Sequence, residues 1–178
     1  MKILKSIIYT TLLFLAFGLN AQNSKDQKII RDANKAKGKL IKMEVGLDQF
    51  FTNSAGYVIF PNVGKGGLII GGASGNGVVY ENGTIIGMAN LKKISVGLQA
   101  GGQAITEVIF FETENDLNEF KEGDFEFSAE ASAVALKSGI AVNAKYRDGV
   151  AVFALPKAGL MADASVGGQK FEFTPMMN

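Results

Sequence analysis

Residues 55–103 read AGYVIFPNVGKGGLIIGGASGNGVVYENGTIIGMANLKKISVGLQAGGQ, and the fold turns on how this stretch is read. Most of the chain's 22 glycines fall within it, alternating with β-branched and aliphatic residues. Glycine inside a strand marks bends, bulges or close backbone approach, so the pattern predicts a strongly curved β-sheet. A phosphate-cradling loop is the competing reading of Gly72-Ala73-Ser74-Gly75-Asn76-Gly77. It fails on context. No Gly-Lys-Ser/Thr follows, and Val78-Val79-Tyr80 reads as a strand where a phosphate site needs a helix N-terminus.

Within the stretch, Tyr57–Phe60 is an apolar run stopped by Pro61, Lys65-Gly66-Gly67 reads as a turn, and Leu68–Ile70 opens the next strand. Val78–Glu81 and Thr84–Met88 flank Asn82-Gly83, a strong two-residue hairpin signal. Further strands are predicted over Ser95–Gln103, Thr106–Phe111, Phe125–Phe127, Ala133–Leu136, Ile140–Lys145, Val150–Leu155 and Leu160–Phe173. Between them Thr113 caps a short helix near 113–121, with Asp116 as the capping-box acid and Gly123 as its stop. Many short strands joined by tight turns predict a mainly β (α+β) fold, a curved antiparallel sheet or barrel-like meander. A weak internal repeat supports one continuous sheet. VIFPNVGKGGLIIGGASG from Val58 and AVFALPKAGLMADASVGG from Ala151 share a strand, a proline and Lys-x-Gly-Leu, which puts Lys65 and Lys157 in equivalent turns.

Upstream, Asn23 to Phe51 has helical periodicity. Ile29, Ala33, Ala36, Leu40, Met43, Leu47 and Phe50 recur at steps of three and four. At about 100° per residue, Lys28, Arg31, Lys35, Lys39 and Lys42 fall within an arc of roughly 80°. Gly38 and Gly46 each cost about 1 kcal/mol in a helix interior and predict a kink or break. Two roles compete for this amphipathic helix. It either lies on a membrane, with the cations on anionic headgroups and Ile29, Leu40, Ile41, Phe50 and Phe51 at the acyl boundary, or packs on the sheet with its lysines solvated.

The first residues read as a secretory signal: Lys2 and Lys5, an apolar run from Ile7 to Leu19, then Asn20-Ala21 before Gln22. Cleavage is expected after Ala21, leaving 178 − 21 = 157 residues as a single domain, with a helical segment 23–53 and a glycine-rich core 55–173. The exported chain would then carry 16 basic and 17 acidic side chains, a net charge of −1, which argues against a nucleic-acid partner. It has no cysteine, so export brings no disulfide and no lipid-modified cysteine.

Catalytic constellations are sparse. Without histidine or cysteine, a Ser-His-Asp triad, a Cys-His pair and a thiolate or imidazole zinc site are impossible. Glu107, Glu112, Glu114, Asp116, Glu119, Glu122, Asp124 and Glu126 form an acidic cluster, but the spacing fits no EF-hand and suits a solvated helix face. Ser132 and Lys137 make at most a chance pair. No enzyme, cofactor or metal is expected.

Residues 55–173 resemble the SYLF domain family of lipid-binding modules. The resemblance rests on Ala55-Gly56-Tyr57-Val58-Ile59-Phe60-Pro61, Lys65-x-Gly67-Leu68, Gly71-Gly72-Ala73-Ser74-Gly75-x-Gly77-Val78 and Ser95-Val96-Gly97-Leu98-Gln99-Ala100-Gly101-Gly102-Gln103. Phe110-Phe111, Lys157-Ala158-Gly159-Leu160-Met161 and Gly168 continue it, over 173 − 55 + 1 = 119 residues. The family often has a lysine before the first glycine, where this chain has Ala55. The resemblance implies a non-catalytic module associated with phospholipid binding, with an N-terminal amphipathic segment as the membrane contact in eukaryotic relatives; with the basic strip of this helix, the expectation is peripheral binding to anionic phospholipid. Lys65 and Lys157 are expected to add to the basic surface of Lys28, Arg31, Lys35, Lys39 and Lys42. Actin, a partner of eukaryotic relatives, is not expected for an exported protein in the periplasm or outside the cell. The alternatives are a cell-envelope interaction protein that shows its glycine-rich sheet to a protein partner, and a carrier of a hydrophobic ligand.

Overall fold

The computed structural model describes residues 24–43, 46–68, 70–123, 134–135 and 145–176, with backbone alone for 95–100, 134–135 and 158–169. The predicted signal, the strand at Phe125–Phe127 and the Ser132–Lys137 pair lie outside these residues as units. Residues 24–43 form helix α1, followed by α2 (Leu47–Asn53), β1 (Gly56–Gly67), β2 (Ile70–Glu81), β3 (Thr84–Phe111), α3 (Glu114–Glu122), β4 (Val134–Ala135) and β5 (Val150–Pro175).

β3 and β5 are 28 and 26 residues long, far beyond the usual 3–10. The short strands predicted at Ser95–Gln103 and Thr106–Phe111 are therefore parts of one strand, as are those at Val150–Leu155 and Leu160–Phe173. β1 and β2 form a hairpin, with Gly67 opposite Gly71. The first half of β3 pairs with β2, up to Ile70↔Val96, and its second half pairs with β1, from Gly67↔Gly101 onward. β3 thus wraps around the tip of the hairpin, and β5 follows it antiparallel along its other edge, from Gly87↔Pro175 to Phe111↔Val150. Cut at that bend, the antiparallel sheet reads β5 (first half), β3 (second half), β1, β2, β3 (first half), β5 (second half). It is curled but not closed. β4 pairs in parallel with Phe153 and Ala154 at one outer edge.

β1 runs straight through Pro61, where the sequence suggested a stop. The register against both neighbours shifts there, between Ile59 and Asn62 and between Phe60 and Val63. At such a bulge the missing N–H of proline removes no ladder bond. Pro156 occupies a second bulge, where Ile105↔Pro156 is followed by Ala104↔Ala158. Lys65 and Lys157 consequently sit within β1 and β5 rather than in turns, which corrects the reading of the repeat. The hairpin turn lies further on, after Gly67, where a Cβ would stand 2.4 Å from the Gly71 Cα.

Other local signals appear as read. Asn82 and Gly83 take φ of 50° and 78°, the pair of positive values a type I′ turn requires. Thr113 accepts from the Asp116 N–H, and the Asp116 carboxylate accepts from the Thr113 N–H at 2.8 Å, a complete capping box. Gly123 ends α3 at φ 80°. The N-terminal helix passes Gly38 unbroken, at a position where a side chain would meet nothing, whereas Gly46 at φ 94° separates α1 from α2.

Two apolar clusters lie on opposite faces of the sheet. The first joins Val58, Phe60, Val63, Leu91, Ile105, Ile109 and Phe171 to Leu117 and Phe120 of α3. Phe60 and Phe171 have ring centroids 5.9 Å apart although their strands are three places apart, about 14 Å in a flat sheet. This face is therefore the inside of the curl. The second cluster, on the outer face, sets Tyr57, Ile59, Val78, Tyr80, Val108, Phe110 and Phe153 under Ala33 and Leu40 of α1 and Leu47 of α2.

Polar ties complete the docking of α1. The Lys37 ammonium donates to the Tyr57 hydroxyl at 2.7 Å and sits 4.8–4.9 Å from the centroids of Tyr57 and Phe51. Tyr80 donates to the Asn34 side chain at 3.2 Å, and its ring stacks on Tyr57 at 4.7 Å. Burial, and secondarily Tyr57, pushes the Tyr80 hydroxyl up from 10.0 to about 12, while burial and then Glu112 do the same for Tyr146. The unfolded chain releases these protons near pH 10 and the folded chain holds them. Stability from this source is complete below pH 10 and falls as the pH rises toward 12. Tyr80→Phe is expected to flatten the alkaline fall in melting temperature between about pH 9 and about pH 11.5, and an unchanged slope would count against it.

Candidate functional surface

Periodicity lays α1 down with its apolar stripe on the sheet. Ala33 and Leu40 are fully covered, and Ile29, Ile30 and Ala36 are partly so. Phe50 and Phe51 of α2 pack edge-on and tilted against Phe110, Phe153, Tyr57 and Tyr146, with centroids 4.8–5.4 Å apart. Of the five apolar residues expected at an acyl boundary, Ile29, Leu40, Phe50 and Phe51 are engaged by the sheet, and Ile41 is exposed, as is Met43. With the stripe turned inward, Lys28, Arg31, Lys35, Lys39 and Lys42 are all exposed on the solvent side of the helix. The arrangement is a cationic ridge on a packed helix. It attracts anions at a surface and offers little apolar area of its own.

Lys65 and Lys157 lie elsewhere, on the sheet. Lys157 is the extra residue of the β5 bulge, and its ammonium donates to the Pro61 carbonyl at 3.0 Å and to the Asn62 side chain. Thr106 donates to the same carbonyl at 3.1 Å. The two bulges therefore lock together, and the first task of Lys157 is to satisfy a carbonyl that the bulge took from the ladder. Lys65 is half-buried on the inner face, beyond Val63. The structure does not bring these two lysines to the helix ridge as one patch.

The acidic cluster disperses likewise among the described residues, which leave out Asp124 and Glu126. Glu107 is buried, Asp116 caps α3, Glu119 accepts from Asn115 at 2.9 Å, and Glu112, Glu114 and Glu122 are exposed. Among the described residues no three carboxylates converge to hold a metal ion, and no helix is long and apolar enough to cross a membrane. Gly72–Gly77 lies within β2, far from any helix N-terminus in sequence.

Sequence reading overlooked the far end of the sheet. There the outer face carries Leu68, Ile70 and Ile94 at 70–73% exposure, with Lys92 and Lys170 directly opposite each other. The signal was the pairing of large aliphatic residues with glycines, together with Leu91-Lys92-Lys93-Ile94, which a strand splits between two faces.

Residues 92–178 match the family model described as Ysc84, Las17-binding protein actin regulator. These residues hold most of β3, α3 and the whole of β5, the ribbon that wraps the hairpin. The match covers 178 − 92 + 1 = 87 of the chain's 178 residues, and it agrees with the resemblance to SYLF domains. The chain is also 28% identical over 158 residues to Beta cell expansion factor A of Aeromonas veronii. That alignment covers 86% of this chain and 59% of the relative, so the chain spans little more than half the length of the curated relative it matches. The β1–β2 hairpin lies ahead of the matched segment but pairs with it along both halves of β3, so the sheet cannot be divided at residue 92.

Proposed function

We propose that this protein is an exported, non-catalytic module that binds anionic phospholipid surfaces peripherally. The observation that carries the reading is the exposed ridge of Lys28, Arg31, Lys35, Lys39 and Lys42 on a helix whose apolar stripe is already satisfied by the sheet. A packed amphipathic helix keeps its cations in fixed array without contributing apolar insertion, so contact through it is electrostatic. Juxtamembrane cations are worth about 1 kcal/mol each near an anionic bilayer, and the attraction decays within a Debye length of about 10 Å at 0.1 M salt. Similarity to a family associated with lipid binding supports the same reading.

The test is co-sedimentation of the purified protein with vesicles of phosphatidylglycerol and phosphatidylcholine, and of phosphatidylcholine alone, at low and high salt. Binding to the anionic vesicles that weakens steeply with salt is the expected result. Equal binding to both compositions would remove the electrostatic reading. No binding to either would transfer weight to a protein partner in the envelope.

A further inference from the structure

We propose that the far end of the sheet, where Leu68, Ile70 and Ile94 stand exposed, is a second membrane contact that dips into the bilayer interface. The proposal rests on the phospholipid-binding reading above and adds a separate, apolar element to it. α1 and α2 cover the outer face only over the half that holds Ile59, Val78, Val108 and Phe110. Along the same face, beyond that cover, the register rows are Gly64, Ser74, Lys92 and Lys170, then Gly66, Gly72, Ile94 and Gly168, and finally the end of the hairpin with Leu68 and Ile70. Leu68, Ile70 and Ile94 are 73%, 70% and 71% exposed, large aliphatic residues that α1 and α2 leave uncovered.

The charges around this end select the occupant. Lys92 and Lys170 occupy the outer face two residues back from Ile94, about 7 Å along a strand. Lys65 and Lys93 both flank Ala73, in the row two positions beyond Val63 and Leu91 on the inner face. Residues 64–72, 92–104 and 157–170 together contain five lysines and a single acid, Asp163. Two lysines directly opposite each other destabilise a sheet. Lys92 is partly compensated by Glu172 at 3.3 Å, across a pair more than half exposed on both sides. An apolar end with cations about 7 Å behind Ile94 on the outer face, and in the adjacent row on the inner face, matches an interfacial bilayer, where apolar groups reach about 5–10 Å below anionic headgroups. A second copy of the chain is a poorer fit, since an end-to-end contact would bring the lysines of both copies together.

The experiment uses the absence of cysteine from the chain. Leu68→Cys carries a single environment-sensitive fluorophore, and Leu68→Ser/Ile70→Ser/Ile94→Ser removes the apolar end. Both are assayed on the same anionic vesicles at low salt and at about 1 M salt, where the Debye length is about 3 Å. Expected results are a blue shift of the bound label with quenching by brominated lipid. The triple variant should lose at least about 10-fold in low-salt binding, together with the salt-resistant fraction, at an unchanged melting temperature. A label that stays in water on bound protein overturns the proposal, and so does equal binding by the triple variant. Either result leaves the lipid reading intact. A failure of the unsubstituted protein to bind any vesicle overturns both readings. A wild-type dimer that becomes monomeric in the triple variant, with vesicle binding unchanged, assigns the end to self-association and overturns the bilayer contact.

Discussion

Reversing Lys28, Arg31, Lys35, Lys39 and Lys42 to glutamate is expected to weaken binding to anionic vesicles by about 10³-fold or more while the protein stays folded. Five cations at about 1 kcal/mol each contribute about 5 kcal/mol. At about 1.4 kcal/mol per decade, losing that contribution spans 10³ to 10⁴ in affinity, before repulsion by the new carboxylates is added. All five side chains are exposed and none joins the apolar cluster beneath α1, so the melting temperature should move little. Vesicle titration beside thermal unfolding reads both quantities. Undiminished binding by a folded variant would remove the helix from the contact. The arithmetic also separates the two contacts, because the helix loses its affinity to salt or charge reversal and the end of the sheet to polar substitution.

Phe110→Ala is expected to be the most damaging single change in the core. Phe110 is fully buried on the outer face, with ring centroids at 5.4 Å from Phe50, 4.8 Å from Phe51, 5.9 Å from Tyr57 and 5.8 Å from Phe153. Truncating a buried phenylalanine costs about 3–5 kcal/mol, because the surrounding rings relax only partly into the space. A domain of this kind has about 5–15 kcal/mol in all. Phe50 and Phe51 both rest on Phe110, so the loss falls first on the docking of α2 and, through it, on the cationic ridge of α1. Urea unfolding would show the drop as a lower midpoint. A loss under about 1 kcal/mol would mean that the aromatic cluster is not what fastens the helices to the sheet.

Several parts of this architecture were legible because a few residues specify them locally. Asn82-Gly83 dictates a type I′ turn, Thr113 and Asp116 write their own capping box, and the three-and-four spacing from Ile29 to Leu40 marks a buried helix face. Strand length was not legible. Pro61 and Pro156 look like terminators, yet each falls at a bulge where no ladder bond is lost, and only the pairing of β1 with both neighbours reveals it. The glycine-rich middle of β3 has too few side chains to show alternation, so its continuity is a property of the whole sheet. For the surface, the basic strip on α1 was visible in the sequence, whereas the partition of its apolar neighbours required the sheet. Leu68 and Ile70 read as ordinary strand residues and Ile94 fell between two predicted strands; only the extent of the helical cover sets the three apart.

The wrapping of the hairpin by β3 also sets the order in which the nascent chain can finish its sheet. β1, β2 and β3 are complete at residue 111, but β5, which pairs with β3 from Gly87 to Phe111, ends at residue 175, 64 residues later (175 − 111). At 5–20 residues per second that interval lasts roughly 3–13 s. Throughout it the unfinished sheet presents one long row of unpaired backbone donors and acceptors, the template on which chains join edge to edge. A passage across a membrane in the unfolded state would postpone that exposure until the whole polypeptide is present, so that the C-terminal strand reaches its edge before a neighbouring molecule does.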